Sequence, residues 1–514
     1  MSVELGLAVV ATADLCLRWG EKLIDLYRTV KGAHHEVEDI LLRLESIWKK
    51  TSVQLRFMRG LSAKLEVDHA RIQQQLLDKL AGTLTAATVK LESVIKTGPG
   101  GHGTGVKAVK YAFLKDSIRR TVDELRDWQS EYDPTWFLVV LIHDKLTLDA
   151  VPEQPQTSQE AGSNPVRVMS RLHGIVHGTT DNSIHINLDS KDFDISNAAA
   201  LNYSTIKLLS RGSGSSTKTF LIDTLSCSNY VDASKAKRDA EDLARRLKVI
   251  DPETFGLLRC QGLVKSRVPG TRELSAIHFV FRMPSPSPTT LREELLRPAP
   301  PPSLSRILHL AQCLAKSVSF IHVCDFVHKN IRPETIITFP PDDTSPSSSS
   351  SHSSSSSSSS YGPAYLLGFD GFRDVNYQTL KAGDAAPERN LYRHPSRQGV
   401  SVQAAHAMPH DIYALGVCLL EIGLWTSFAA GPALGRWVSE SWGQKVKEYL
   451  VALARERLPG RMGDRYTTVV LHCLTCLDAD NTIFDGETMR DEDGVVVGVR
   501  FIEKVQLALG EISL

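Results

Sequence analysis

Residues 326–339 read FVHKNIRPETIITF, and the organisation of this 514-residue chain follows from what surrounds them. The stretch is a polar loop, His328 to Thr335, held between apolar ends. Upstream, residues 303–323 (SLSRILHLAQCLAKSVSFIHV) repeat apolar side chains at the period of a long helix that stops where the loop opens. Downstream, residues 340–362 are dominated by serine, interrupted by His352, and cannot bury enough apolar surface to form a core. They are expected to be a disordered insertion between two strands. Beyond it come YLLGFD at 365–370, YRHPS at 392–396 and the helix start HDIYALGV at 410–417, with a late helix at 461–477.

Before the loop, from residue 166 onward, short β-like runs appear at 183–188, 204–209, 218–225, 255–264 and 276–282, with a charged helix at 233–249. This order resembles a protein kinase: strands, a helix, two more strands, a long helix, then the loop. In an active kinase the loop H-R-D-L-x-x-x-N supplies an Asp that accepts the substrate proton and an Asn that ligates magnesium. Here Asn330 and Thr335 stand at those positions. An amide offers no basic oxygen to a proton, and a hydroxyl is a poor ligand for a hard cation. The resemblance also aligns Asp223, in FLID at 220–223, with the phosphate-clamping lysine, and Gly368 with the magnesium-holding Asp. A slip of register to Asp370-Gly371-Phe372 is the alternative for the last. Glu241 or Asp242 falls at the partner position on the charged helix, without a lysine partner, and Ser396 replaces a structural acid. His328, Pro333 and Asp411 are assigned to holding the loop's shape. The Gly-rich SRGSGSS at 210–216 lacks phosphate-cradle spacing and reads as a hairpin between the second and third strands.

The N-terminal part is different in kind. Apolar residues recur at three and four from Leu15 to Leu91 and again from Tyr111 to Trp128, interrupted by GPGGHGTG at 98–105 and followed, after Asp133-Pro134, by an apolar run at 136–142. This pattern predicts a helical bundle ending near residue 148. Its first apolar stretch, LGLAVVATA at 5–13, presents Leu5, Leu7, Val9 and Val10 on all sides, at a chain end from which it can be released or in which it plugs the bundle. Lys107, Lys110, Lys115, Arg119 and Arg120 form a basic cluster suited to an anionic membrane surface or to plain solvation. The run at 6–55, with LRDWQSEYDPTWFLVVLI at 125–142, resembles the HeLo domain of fungal prion-inhibition and cell-death proteins. That resemblance implies activation, oligomerisation and membrane permeabilisation, in an incompatibility or immunity setting. Asp14, Arg18 and Glu21 follow too closely for a monomeric span of about 20 residues.

The expected fold class is therefore multidomain: an all-α bundle at 1–148, a polar, Pro-containing linker at 149–165, and an α+β bilobal kinase-like unit at 166–514 with its insertion at 340–362. Composition narrows the partners. Lys plus Arg number 59 and Asp plus Glu 59, so net charge argues for no nucleic acid. Eight scattered cysteines read as reduced thiols, and Cys473 with Cys476 lacks the second ligand pair of a zinc site. No cofactor and no metal are expected. Glu4 stands where a secretory leader carries a cation, which points to the cytoplasm, with movement to the plasma membrane on activation. The layout is similar to that of mixed lineage kinase domain-like proteins, and implies a homo-oligomer controlled by an upstream receptor or kinase. A serine/threonine kinase retaining ATP, and a non-catalytic scaffold, are the competing expectations.

Overall fold

The computed structural model describes residues 2–29, 35–62, 65, 67–96, 104–142, 184–212, 217–227, 233–271, 273–324, 326–340, 362–370, 372–374, 382–384, 386–401, 405–429, 443–478, 481 and 504–512. It divides into two compact units, Met1–His177 and Gly178–Leu514. The expected linker at 149–165 and nearly all of the serine-rich stretch lie outside the described residues.

The first unit consists of four long helices, α1 (Ser2–Thr29), α2 (His35–Leu61), α3 (Val67–Lys96) and α4 (Thr104–Ile142). α1 packs on α2 and α3, and α4 packs on the same two, so the four enclose one core. On α1 the buried residues are Val9, Ala13, Cys16, Leu17, Leu23, Ile24 and Tyr27, a stripe at the helical period. Gly20 lies on that stripe because a Cβ there would sit 1.9 Å from the Trp48 ring of α2. Buried indoles are satisfied: Trp128 Nε1 donates to the Leu76 carbonyl at 2.7 Å and Trp136 Nε1 to the Gln54 carbonyl at 3.3 Å. α4 runs unbroken through Asp133-Pro134. Contacts on both sides hold the helix there: Asp133 accepts from Lys50 Nζ at 2.6 Å and Gln54 Nε2 at 2.7 Å, while Trp136 is fully buried. Tertiary anchoring overrides the local cost of proline.

The second unit joins a five-stranded antiparallel sheet to a mostly helical part. The strands are β1 (Ala199–Ala200), β2 (Lys207–Arg211), β3 (Lys218–Ser226), β4 (Cys260–Arg267) and β5 (Leu274–Arg282), in the order β1-β2-β3-β5-β4. The charged helix α5 (Ala233–Val249) packs on β4 and β5, and the short α6 (Pro252–Phe255) leads into β4. Two expectations are corrected. The run at 183–188 makes only an isolated bridge from Asn187 to Leu263, and residues 252–255, capped by the Asp251 side chain and a left-handed Gly256, are helix where strand was expected to begin. The hairpin between β2 and β3 is present as read, with Arg211 paired to Lys218.

Next come β6 (Thr289–Thr290), α7 (Leu291–Leu296), α8 (Leu304–Val323), β7 (Phe326–Val327), β8 (Ile336–Thr338), β9 (Ala364–Leu366), β10 (Arg373–Asp374), β11 (Ala382–Asp384), α9 (Pro387–Asn390), β12 (Gly399–Ser401), α10 (Met408–Leu424), α11 (Gly443–Arg457) and α12 (Pro459–Leu474). β8 and β9, which flank the serine-rich stretch, pair antiparallel, and β7 pairs with β10. α10 is buried on nearly every face, packed against α8 and α12. It is the axis of this part, and it carries Asp411 into the loop at 328–335.

Glycine substitutions in the bundle separate packing from backbone effects. Gly20→Val should destabilise by about 1–3 kcal/mol through overpacking against Trp48. Gly82→Ala, where a Cβ meets nothing within 4 Å, should stabilise by about 0.5–1 kcal/mol. Denaturant unfolding followed by tryptophan fluorescence reads both; a neutral Gly20→Val would contradict the α1–α2 packing.

Candidate functional site

β3 is buried along its middle, residues 220–223, and its single carboxylate, Asp223, points out of the sheet into the loop that follows β9. Asp223 Oδ2 accepts from the Gly368 amide at 2.8 Å and the Phe369 amide at 2.7 Å. Burial raises its pKa to about 7, opposed by the amide hydrogen bonds. Gly368 has φ +88°, and a Cβ there would lie 2.3 Å from Thr335 Cγ2 and 3.1 Å from Asn330 Nδ2. All four singled-out positions, Asp223, Asn330, Thr335 and Gly368, therefore meet in one place.

Their polar atoms are spent on each other. Asn330 Nδ2 donates to the Gly368 carbonyl at 3.1 Å and to Asp370 Oδ1 at 2.6 Å, and Asn330 Oδ1 accepts from Arg332 Nε at 2.7 Å. The Thr335 hydroxyl lies 2.8 Å from the Asn330 carbonyl and 2.9 Å from that of Arg332, and accepts from the Arg332 amide at 3.3 Å. Asp370 is the carboxylate left near this point; burial raises its pKa, while Arg332 and Arg389 lower it. Phe369 packs its ring 5.1 Å from His328 and about 6 Å from Phe279, Phe281 and Phe372. These aromatics fix the loop so that Gly368, not Asp370, faces Thr335.

Asp411, at the start of α10, sets the loop frame. Its carboxylate accepts from the His328 amide at 2.7 Å, the Lys329 amide at 2.9 Å, His406 Nε2 at 3.0 Å and His322 Nε2 at 3.1 Å. Against the cost of burial, those bonds hold it well below the usual carboxylate range. Lys329 is held at φ +66°, a conformation a non-glycine residue adopts only when its surroundings impose it. Pro333 opens the short turn Pro333–Thr335.

Three features escaped the sequence. The turn at 201–206 between β1 and β2 bends over the loop, with Ser204 Oγ donating to the Glu334 carbonyl at 2.7 Å and Thr290 Oγ1 to the Asn202 carbonyl at 3.0 Å. Tyr203 at φ +63° makes that bend, and the Asn-Tyr-Ser run was its only signal. Second, Glu241 does have a lysine partner, Lys265 of β4 at 2.7 Å, and not a residue of β3. Asp242 pairs with Arg245 at 2.7 Å. Third, the buried Arg292 of α7 bonds Glu334 Oε1 and Glu421 Oε1, each at 3.0 Å, as well as Ser427 and Tyr392. Glu421 was detectable as a lone charge inside an apolar helix; Arg292, in LREELL, looked like solvated surface. Ser396 bonds His394 and His410, and Cys476 donates to the Pro409 carbonyl at 3.2 Å.

In the first unit, the terminal stretch is one-sided rather than apolar throughout its environment. Val9 is buried, Leu5 and Val10 are half-buried, and Leu7 is 64 % exposed. α1 is tied to α2 by surface ion pairs: Asp14 to Arg59 at 2.8 Å, Glu21 to Arg56 at 3.2 Å and Arg28 to Glu45 at 2.9 Å. Lys115 is half-buried, and Arg119 and Arg120 are exposed on α4; the side chains of Lys107 and Lys110 lie outside the described residues. Among the described residues no helix is long and apolar enough to cross a membrane, and no cluster of metal-ligating side chains occurs.

Against known proteins, neither family models nor curated sequences return a match to this chain.

Two measurements test the interlock. With its pKa raised from 3.8 to about 7, Asp223 contributes stability that is full below about pH 4 and is lost as pH rises through 7. The melting temperature of Asp223→Asn relative to the parent should therefore climb between about pH 4 and pH 7 and level off above; a flat difference would mean the carboxylate stays ionised on its amides. Gly368→Ala should cost about 1–3 kcal/mol from overpacking and positive φ. Thr335→Ser, which keeps the hydroxyl and removes Cγ2, should recover part of that loss in the double variant, and strict additivity would refute the contact.

Proposed function

We propose that this protein is a membrane-permeabilising cell-death effector, in which a kinase-like unit without phosphoryl-transfer chemistry controls a helical unit related to the fungal HeLo domain. The observation that carries the first half is Asp223. A carboxylate lies where a nucleotide-binding kinase has a cation, and it is bonded to the backbone of the very loop that would hold magnesium. It offers no cation to a triphosphate, and its bonds to the loop amides occupy the place a metal would need. Asn330 offers a spent amide where a base is needed, Thr335 a spent hydroxyl, and Gly368 no side chain. The turn at 201–206 is hydrogen-bonded down onto the same place. Sheet order, the helix packed on it and the Asp411-held loop support the kinase-like reading.

The second half is supported by α1. Its apolar stretch shows Leu7 to solvent, and α1 is clipped to α2 by exposed ion pairs, which are individually weak and salt-sensitive. A trigger received by the kinase-like unit shifts the population toward released α1. Because charges interrupt the helix after residue 13, permeabilisation requires several copies to assemble on an anionic surface, with Arg119 and Arg120 facing lipid phosphates. In the resting state the protein is cytoplasmic, and it moves to the plasma membrane on activation.

The test is dye release from anionic vesicles. Residues 1–148 should leak them, Leu7→Asp should abolish leakage, and Asp14→Arg, which opposes Arg59, should speed it. No leakage by residues 1–148 under any oligomerising condition would sink the proposal. In parallel, Mg-ATP should leave the melting temperature of the full chain unchanged, since real affinity must stabilise the folded state; a clear shift would favour a nucleotide-binding kinase instead.

A further inference from the structure

Between α7 and α8 the chain reads RPAPPPS, residues 297–303. Proline fixes its own φ at about −65° and pushes the residue before it out of the helical region. Ala299, Pro300 and Pro301 are each followed by proline, so local sterics drive them toward the polyproline II conformation, which has no internal hydrogen bonds. The backbone at both ends of the run agrees: Arg297 has φ −64° and ψ 130°, and Ser303 has φ −58° and ψ 151°. The chain turns where the Ala299 amide donates to the Arg297 carbonyl at 2.8 Å, then runs without a bend from 300 to 303.

Two anchors hold this run in place. At one end the Arg297 amide donates to the Glu294 carbonyl at 3.3 Å and closes α7, which the buried Arg292 ties to Glu334 and Glu421. At the other, the Ser303 side chain caps α8 by accepting from the Arg306 amide at 3.3 Å. Between the anchors Pro298, Ala299, Pro300 and Pro301 are exposed, and Leu304 follows at 42 % exposure. Among the described residues the carbonyls of 298–302 accept no hydrogen bond, and the exposed Arg297 guanidinium has no ion pair. A second proline-rich stretch, PSPSP at 284–288, provides the contrast. Ser287 there stands at φ +67° and Pro288 is buried, so no continuous polyproline surface forms.

We propose that residues 297–303 are a docking strip for a proline-recognition domain, one whose groove is built from parallel aromatic rings with an acidic flank. The rings pack against the exposed prolines, indole N–H or phenol O–H groups donate to the free carbonyls, and the acid meets Arg297. Because the strip is held extended before binding, little ordering entropy is left to lose. A groove of about 460 Å³, lined by Asn202, Tyr203, Glu293, Leu296, Arg297 and Pro298, opens beside it. A bound domain therefore also reaches the exposed Tyr203, in the turn that bends over the loop at 328–335. The inference rests on neither the membrane reading nor the loss of phosphoryl transfer.

The experiment is biolayer interferometry of the immobilised full-length protein against purified SH3-type and WW-type domains, presented one at a time. Domains of one class should bind, and Pro300→Ala with Pro301→Ala should weaken that binding by about tenfold or more. Arg297→Glu should weaken it several-fold and flatten its dependence on salt. Pro286→Ala, in the other stretch, should leave it unchanged. The substituted side chains are exposed, so each variant should keep the parent's melting temperature; if the double variant melts lower, Arg297→Glu alone carries the test. The class that binds identifies the groove of the partner. The proposal is overturned if no domain of either class binds, if binding is insensitive to the proline substitutions, or if a free peptide of residues 294–305 binds where the folded protein does not.

Discussion

A buried carboxylate without a permanently charged partner holds the second unit's loop in shape. Asp411 is fully buried and satisfied by four N–H donors, two from the backbone of the loop and two from imidazoles. A lone buried charge is costly, and it is stable here because each hydrogen bond favours the ionised form. The consequence is geometric: residues 328 and 329 can run only one way, Lys329 is forced to positive φ, and His328 is directed against Phe369. The aromatic cluster around Phe369 then sets the loop after β9. The Asp223 contact to Gly368 and Phe369 depends on that order.

On this frame the contacts of Asp223, Asn330, Thr335 and Gly368 are mutually dependent. Gly368 leaves room for the Thr335 methyl; Asn330 fills the space beside it and bridges to Asp370; Asp223 caps the amides exposed when the loop carries no metal ligand. This is the behaviour of a connected polar network, where each member's cost depends on the others.

Much of the architecture was legible locally. The period of three and four located the bundle helices, the charged helix at 233–249 has the expected bounds, and Ser303 caps α8 where the apolar period begins. The failures share a cause. The helix runs on through Pro134 because Asp133 and Trp136 are anchored by α2, which no local rule sees. Residues 184–188 alternate like a strand yet make only an isolated bridge, Asn187 to Leu263, at the outer edge of β4. Glu241 looked unpartnered because its lysine comes from β4, whose position beside α5 depends on sheet order.

The sequence by itself determined which elements form and which chemical groups are missing: helical period, strand alternation, and Asn330, Thr335 and Gly368 in a recognisable frame. Side-chain identity and spacing are local properties, and local physics reads them. Only the tertiary structure decided where the freed groups went, bringing together residues far apart in the chain, Asp223 with Gly368 and Arg292 with Glu421. Buried polar atoms must find partners, and the partners are chosen by packing rather than by proximity along the chain.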